Sequence, residues 1–203
     1  MRAPVKLFLA SSNPGKLAEY RGLAASGGSA PFELELVPEF DSLPMFDESA
    51  PTFAENAAGK ALHHSRLREG LVFADDSGLV VPALGGAPGV HSARYAGPQA
   101  TNSQRIAKLL NEMTSLTGDQ REAYFVCAIA LAKQGRAIAI VTDRVDGQIL
   151  GTPRGSGGFG YDPVFYFPAL EKSFAELMAE QKNQHSHRGK AFRKLLAALS
   201  GMI

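Results

Sequence analysis

Val5-Lys-Leu-Phe-Leu-Ala10 runs directly into Ser11-Ser-Asn-Pro-Gly-Lys16. A short apolar run halted by Ser and Asn, with Pro suited to a first helical position, reads as a strand turning into a helix. Leu17, Tyr20 and Ala24 continue at helical spacing, and Gly27-Gly28 supplies a stop. Working outward, Glu33-Leu-Glu-Leu-Val37 alternates polar and apolar as a half-buried strand does. Thr52 with Glu55 forms a capping box that opens a helix ending near Gly70. Leu71-Val-Phe-Ala74 then reads as a buried strand entering Asp75-Asp76-Ser77-Gly78. A second capping box, Thr101 with Gln104, precedes an apolar stripe at Ile106, Leu109, Leu110 and Met113. Two apolar runs between Glu122 and Gln148 flank Lys133-Gln-Gly-Arg136, the pattern of a hairpin. Val164–Phe167, closed by Pro168, is another strand, and Phe192, Leu195, Leu196 and Leu199 mark a last helix. Crossovers mixed with hairpins predict an α/β fold: a mixed sheet flanked by helices.

The 203 residues suit one large domain, or two small lobes sharing a core, that buries roughly 70% of its unfolded surface without disulfides. The one cysteine, Cys127, excludes an intrachain disulfide and a multi-cysteine zinc site. Its apolar setting points to a buried thiol. With 21 basic and 20 acidic residues the net charge is +1, which argues against a nucleic-acid or membrane-surface binder. No apolar stretch nears the ~18 residues of a membrane span, and Met1-Arg-Ala-Pro4 lacks a signal-peptide core. These features predict a cytoplasmic protein.

Four segments carry chemistry. Ser11, Ser12, Asn13, Pro14, Gly15 and Lys16 sit where a helix N-terminus offers N–H groups and positive charge to phosphate. It is not a Walker loop, since Ala10 stands where Gly is needed and Leu17 where Ser or Thr holds magnesium. An ordinary helix cap with a solvated Lys16 explains the same residues. Asp75 and Asp76 point to opposite faces if the strand continues, and a carboxylate there suits Mg²⁺ or the activation of water. The alternative is a polar turn. Asp47-Glu48 offers another metal oxygen, or only a solvated acidic loop. Gly155-x-Gly157-x-x-Gly160 imitates a dinucleotide fingerprint, but Pro163 and the strand after it leave no room for the required helix. What remains is a backbone loop with Phe159 and Tyr161, able to lay a ring on a base or to pack inward. Finally, Lys182-Asn-Gln-His-Ser-His187-Arg188 places donors before the last helix.

In order along the chain come Ser11–Lys16, Thr52-Phe-Ala-Glu-Asn-Ala57 with Lys60, and Ala74–Gly78. Leu84–Gly89, Ser92–Gly97, Gly157–Pro163 and Ser186-His-Arg188 complete seven blocks. Together they closely resemble the inosine/xanthosine triphosphate pyrophosphatases, house-cleaning enzymes for non-canonical purine nucleotides. His91 departs from the aromatic residue common at that position. The resemblance implies an elongated fold with two lobes around a central nucleotide cleft, and a homodimer. It implies Mg²⁺-dependent hydrolysis of dITP, ITP and XTP to the monophosphate and pyrophosphate. It assigns the triphosphate to Ser11–Lys16 and Lys60, proton acceptance and metal binding to Asp76, and further metal binding to Glu48. Ser77, Phe159, Gly160, Tyr161, Asp162, Lys182, His187 and Arg188 would complete the nucleotide site. Arg188 or His187 can donate to a 6-oxo purine edge, where adenine's amino group would clash. A non-catalytic nucleotide sensor, or an enzyme acting on modified pyrimidines, are the rival readings. The carboxylate pair disfavours the first and the Ser-His-Arg block the second.

Overall fold

The computed structural model describes residues 5–26 and 32–201. Met1–Pro4 and the Gly27-Gly28 stop lie outside them. The elements are β1 (Val5–Leu9), α1 (Pro14–Ser26), β2 (Phe32–Leu36), α2 (Phe53–Arg66), β3 (Leu71–Val80), α3 (Asn102–Glu112), β4 (Glu122–Lys133) and β5 (Arg136–Ile149). They continue with β6 (Phe165–Phe167), β7 (Lys172–Ser173), α4 (Ala179–His185) and α5 (His187–Ser200). The strands form one sheet in the order β2-β1-β3-β4-β5-β6-β7. β1 pairs in parallel with β2 and β3, while β6 pairs antiparallel with β5 and β7, so the sheet is mixed.

The chain divides into two compact units. Unit 1 runs up to Asp76 and takes in Cys127–Asp143 and the residues from Arg188 onward. Unit 2 holds Ser77–Val126 and Arg144–His187.

In unit 1 the strand period of two sorts side chains by size. Leu7, Leu9, Phe73, Cys127, Ile129 and Leu131 meet Tyr20 and Leu23 of α1 and Phe192, Leu195 and Leu199 of α5. The intervening Ala10, Ala74, Ala128, Ala130 and Ala132 meet Ala57 and Ala61 of α2. Large residues cushion two helices on one face, and on the other the alanines, with Phe8 and Val72 beside them, seat α2. The β4–β5 turn is Gln134-Gly135, with φ of 48° and 74°. Two positive φ values make the mirror-image turn that matches strand twist, which is why glycine stands there.

Unit 2 packs Ile106 and Leu109 of α3, with Met113 just after it, against Leu79, Phe125, Val145, Ile149, Phe165 and Phe174. Phe125 and Phe165 lie 4.5 Å apart at 49°, and Phe165 meets Phe174 edge-on at 4.9 Å.

Local signals mostly held, with instructive exceptions. Thr101 and Gln104 make the full reciprocal capping box. Thr52 accepts from the Glu55 amide at 3.2 Å, and its hydroxyl donates to the Glu55 carboxylate instead of leaving it for the cap amide. The helix it opens ends at Arg66, four residues before the expected Gly70. The strand expected to stop at Ala74 runs on to Val80, so Asp75–Gly78 are strand and not turn. Lys182 lies in α4, a short helix the sequence reading missed, and His187 and Arg188 already belong to α5.

Candidate active site

At the β1–α1 junction, Asn13 Oδ1 accepts from the amides of Gly15 at 2.9 Å and Lys16 at 3.1 Å. Ser11 Oγ, buried at the end of β1, accepts from the Asn13 amide at 3.2 Å. Ser12 is exposed, and Pro14 opens α1. The loop is therefore a capped helix start, and a phosphate seeking those two amides must displace the Asn13 side chain. Lys16 is not the solvated residue of the simpler reading. Its Nζ lies 3.1 Å from Asp75 Oδ1 and donates to the Asp75 carbonyl at 3.3 Å.

Because β3 continues, its two carboxylates meet different helices. Asp75, fully buried, faces Lys16, the Cys127 thiol (Sγ to Oδ2 3.9 Å) and the Arg188 guanidinium. Asp76 accepts from Asn56 Nδ2 of α2 at 3.0 Å. Asn56 is itself fixed, donating to the Ala50 carbonyl and accepting from the Ala50 amide. Their titrations diverge. Burial alone would raise Asp75, but Lys16, Arg188 and Lys60 outweigh it and hold the carboxyl well below its usual range. At Asp76 burial dominates and Glu48 adds repulsion, so this carboxyl is raised despite Lys16 and the Asn56 hydrogen bond. The surroundings thus favour the ionised form at Asp75 and the protonated form at Asp76.

Glu48 accepts from the buried Lys60 Nζ at 2.5 Å. Among the described residues no group of three or more His, Cys, Asp or Glu is arranged around a metal position. Glu48 and Asp76 nonetheless repel each other, and two hard carboxylate oxygens fit a Mg²⁺ that draws its other ligands from phosphate and water.

The remaining predicted residues are in unit 2, apart from Arg188. Ser77 follows Asp76 on β3 and lines a pocket with Ser92, Arg105, Phe159, Tyr161 and His187. The two loop aromatics divide between the two readings. Tyr161 packs inward, 3% exposed, and its hydroxyl donates to the Ser92 carbonyl at 2.9 Å. Phe159 stays half-buried, with Lys182 Nζ 4.9 Å from its ring centre. Asp162 Oδ2 ties the loop together, accepting from the Phe159 amide at 2.7 Å and Lys182 Nζ at 2.6 Å. Gly158 has a φ of +69°, and a Cβ there would sit 2.1 Å from that oxygen, so glycine is required. Gly160 lines the same pocket with a φ of +64°. No α-helix follows the glycines, only a single 3-10 turn over Asp162–Val164. His187 stacks on Phe125 at 4.8 Å and 12°.

Arg188, expected to read the base edge, is engaged by carboxylates of its own unit. It is 2% exposed in unit 1, where Nη1 donates to Glu19 and Nε and Nη2 lie 3.4 Å from Asp75 Oδ2. The part-buried Glu19 on α1 and the fully buried Asp75 on β3 both claim the guanidinium. His187, not Arg188, lines the unit 2 pocket. Sequence reasoning missed Glu19 and Arg105, and it quoted Asn56 in the Thr52–Ala57 block without giving it a site role. Glu19 follows Lys16 by three residues, a helical spacing that was its only signal.

These motifs can be compared with known proteins. A chain from Geobacillus kaustophilus named dITP/XTP pyrophosphatase is 50% identical over 94% of this chain and 92% of its own length. A Thermus thermophilus protein of the same name is 46% identical over 96% and 91%. Among solved structures, the Staphylococcus aureus Ham1 protein superposes with a TM-score of 0.84 at 37% identity, covering 98% of this chain and 100% of the other. A Mycobacterium abscessus nucleoside-triphosphatase / dITP/XTP pyrophosphatase gives 0.73 at 39%, covering 96% and 100%. With the Ham1 family profile matching residues 7–198, nearly every element described above, the chain belongs to the Ham1 family.

Proposed function

We infer that this protein hydrolyses non-canonical purine nucleoside triphosphates (dITP, ITP and XTP) to the monophosphate and pyrophosphate. The observation that carries the reading is the divergent pair on β3. A raised Asp76 beside a permanently ionised Asp75 is what water activation asks for, and a nucleotide sensor has no use for it. Membership of a family whose relatives bear pyrophosphatase names supports the substrate class.

In this mechanism Asp76 takes a proton from the water that attacks the α-phosphorus. Asn56 holds one Asp76 oxygen, which fixes the carboxylate plane. Asp75 stays anionic and does not compete for the proton. Lys16 and Lys60 offset the charge that gathers on the departing pyrophosphate, aided by the Ser11–Gly15 loop. Asp76 and Glu48 would hold Mg²⁺, which when bound neutralises phosphate oxygens and orients the leaving group. In unit 2, Phe159, His187, Ser77 and the Tyr161–Asp162 turn serve the base, with Lys182 holding the loop. Arg188 contributes by keeping Asp75 ionised. The same reading includes a cytoplasmic homodimer.

The test is pyrophosphate release from ITP with and without Mg²⁺, by wild type and by Asp76→Asn. Turnover that needs Mg²⁺ and vanishes in the variant supports the reading; ITP binding without turnover in wild type overturns it in favour of a sensor.

A further inference from the structure

The unit 2 pocket holds three side chains able to carry charge: Asp162, His187 and Arg105. Asp162 is neutralised by Lys182 at 2.6 Å. His187 lies flat on Phe125. Arg105, on the first turns of α3, is half-buried and has no carboxylate partner among the described residues. Its Nε and Nη2 both donate to the Ala100 carbonyl, at 3.1 and 2.7 Å. That clamp holds the guanidinium plane while Nη1 has no partner among the described residues. Burial raises the Tyr161 hydroxyl, Arg105 opposes that push, and Tyr95 and Glu112 add to it, though Glu112 makes no ion pair with Arg105. That hydroxyl is already spent on Ser92, so it offers a ligand no donor.

A fixed cation without a counter-ion selects bases by charge and by acceptors. Hypoxanthine is neutral and carries one carbonyl. Xanthine carries carbonyls at both positions 2 and 6 and loses a proton near neutral pH, spreading negative charge over the ring. Guanine presents an amino donor at position 2, which gains nothing from a second donor.

We propose that Arg105 is a specificity-determining residue that biases this pocket toward xanthine nucleotides over hypoxanthine ones. The proposal rests on the pyrophosphatase reading above. A charge-assisted contact of this kind corresponds to about tenfold or more in kcat/KM.

The experiment measures pyrophosphate release from XTP and ITP by wild type, Arg105→Gln and Arg105→Lys, below and above the pH at which xanthine ionises, with a thermal melt for each. Wild type should prefer XTP more strongly at the higher pH. Arg105→Gln should lose about tenfold on XTP and little on ITP, and should flatten the pH dependence of the ratio; Arg105→Lys should keep most of the preference. Equal losses on both substrates, or a lower melting temperature with an unchanged XTP/ITP ratio, would reduce Arg105 to a clamp on Ala100 and overturn the proposal. Failure of wild type to release pyrophosphate from either substrate would instead overturn the pyrophosphatase reading itself.

Discussion

In the proposed mechanism turnover depends on Asp76. Asp76→Asn keeps the shape and can still meet Asn56, but it removes the proton acceptor, so kcat should fall by about 10²-fold or more with nucleotide binding retained. Steady-state kinetics beside a binding titration checks this. Lys16→Ala acts on charge that leaves with pyrophosphate, so ITP affinity should drop far more than IMP affinity; equal losses would place Lys16 away from the phosphates. Arg188→Ala belongs to a different class. It strips the guanidinium from between Glu19 and Asp75, both nearly or fully buried. Removing one partner of a buried charge set costs about 3–5 kcal/mol, so the melting temperature should fall steeply while the ITP/ATP selectivity ratio of the folded fraction stays put. A narrowed ITP/ATP ratio would return Arg188 to the base edge.

Elements show why some of this was legible beforehand. The Thr101–Gln104 box, the Gln134-Gly135 turn and the failed dinucleotide fingerprint are decided by residues a few positions apart, so their chemistry is readable in one dimension. The partners of Arg188 are not: Asp75 is 113 positions away and Glu19 is 169. Asn56 and Asp76 are brought together only because α2 lies on the alanine face of the sheet. α4 escaped notice because seven residues carry too few apolar positions to show a period. The alanine face yields its own prediction. Ala61 is fully buried against the methyl groups of β3 and β4. Ala61→Leu should cost about 1–3 kcal/mol through overpacking and should also disturb Asn56 and Lys60 on the same helix, lowering activity in the folded enzyme. Denaturant melts with parallel kinetics would show both effects; a neutral melt would mean that α2 has room to shift.

For the whole molecule, acid stability is set by groups the fold keeps in one protonation state. His64 is 2% exposed beside Phe40 and His63. Burial first, then His63 and Lys60, lower it from 6.5 to about 4. The unfolded chain takes up this proton near pH 6.5 and the folded one only near pH 4. Stability from His64 is therefore complete above pH 6.5 and is lost as pH falls toward 4. Asp75 is depressed, so its contribution holds above the ordinary carboxylate range and is lost only at still lower pH. The melting temperature should decline in two stages on acidification, and His64→Leu should remove the earlier one. An unchanged first stage in that variant would assign it elsewhere.

Cys127 turns the buried charge set into something that can be timed. Its thiol is fully buried and pushed up to about 12, chiefly by burial and then by Asp75. A thiol so seldom ionised and so enclosed cannot meet an alkylating reagent while unit 1 stays shut. With a single cysteine in the chain, each molecule that opens is tagged once and leaves a clean mass increment. The tagging rate is thus a native stopwatch for the breathing of the β3–β4 core, readable without any engineered label.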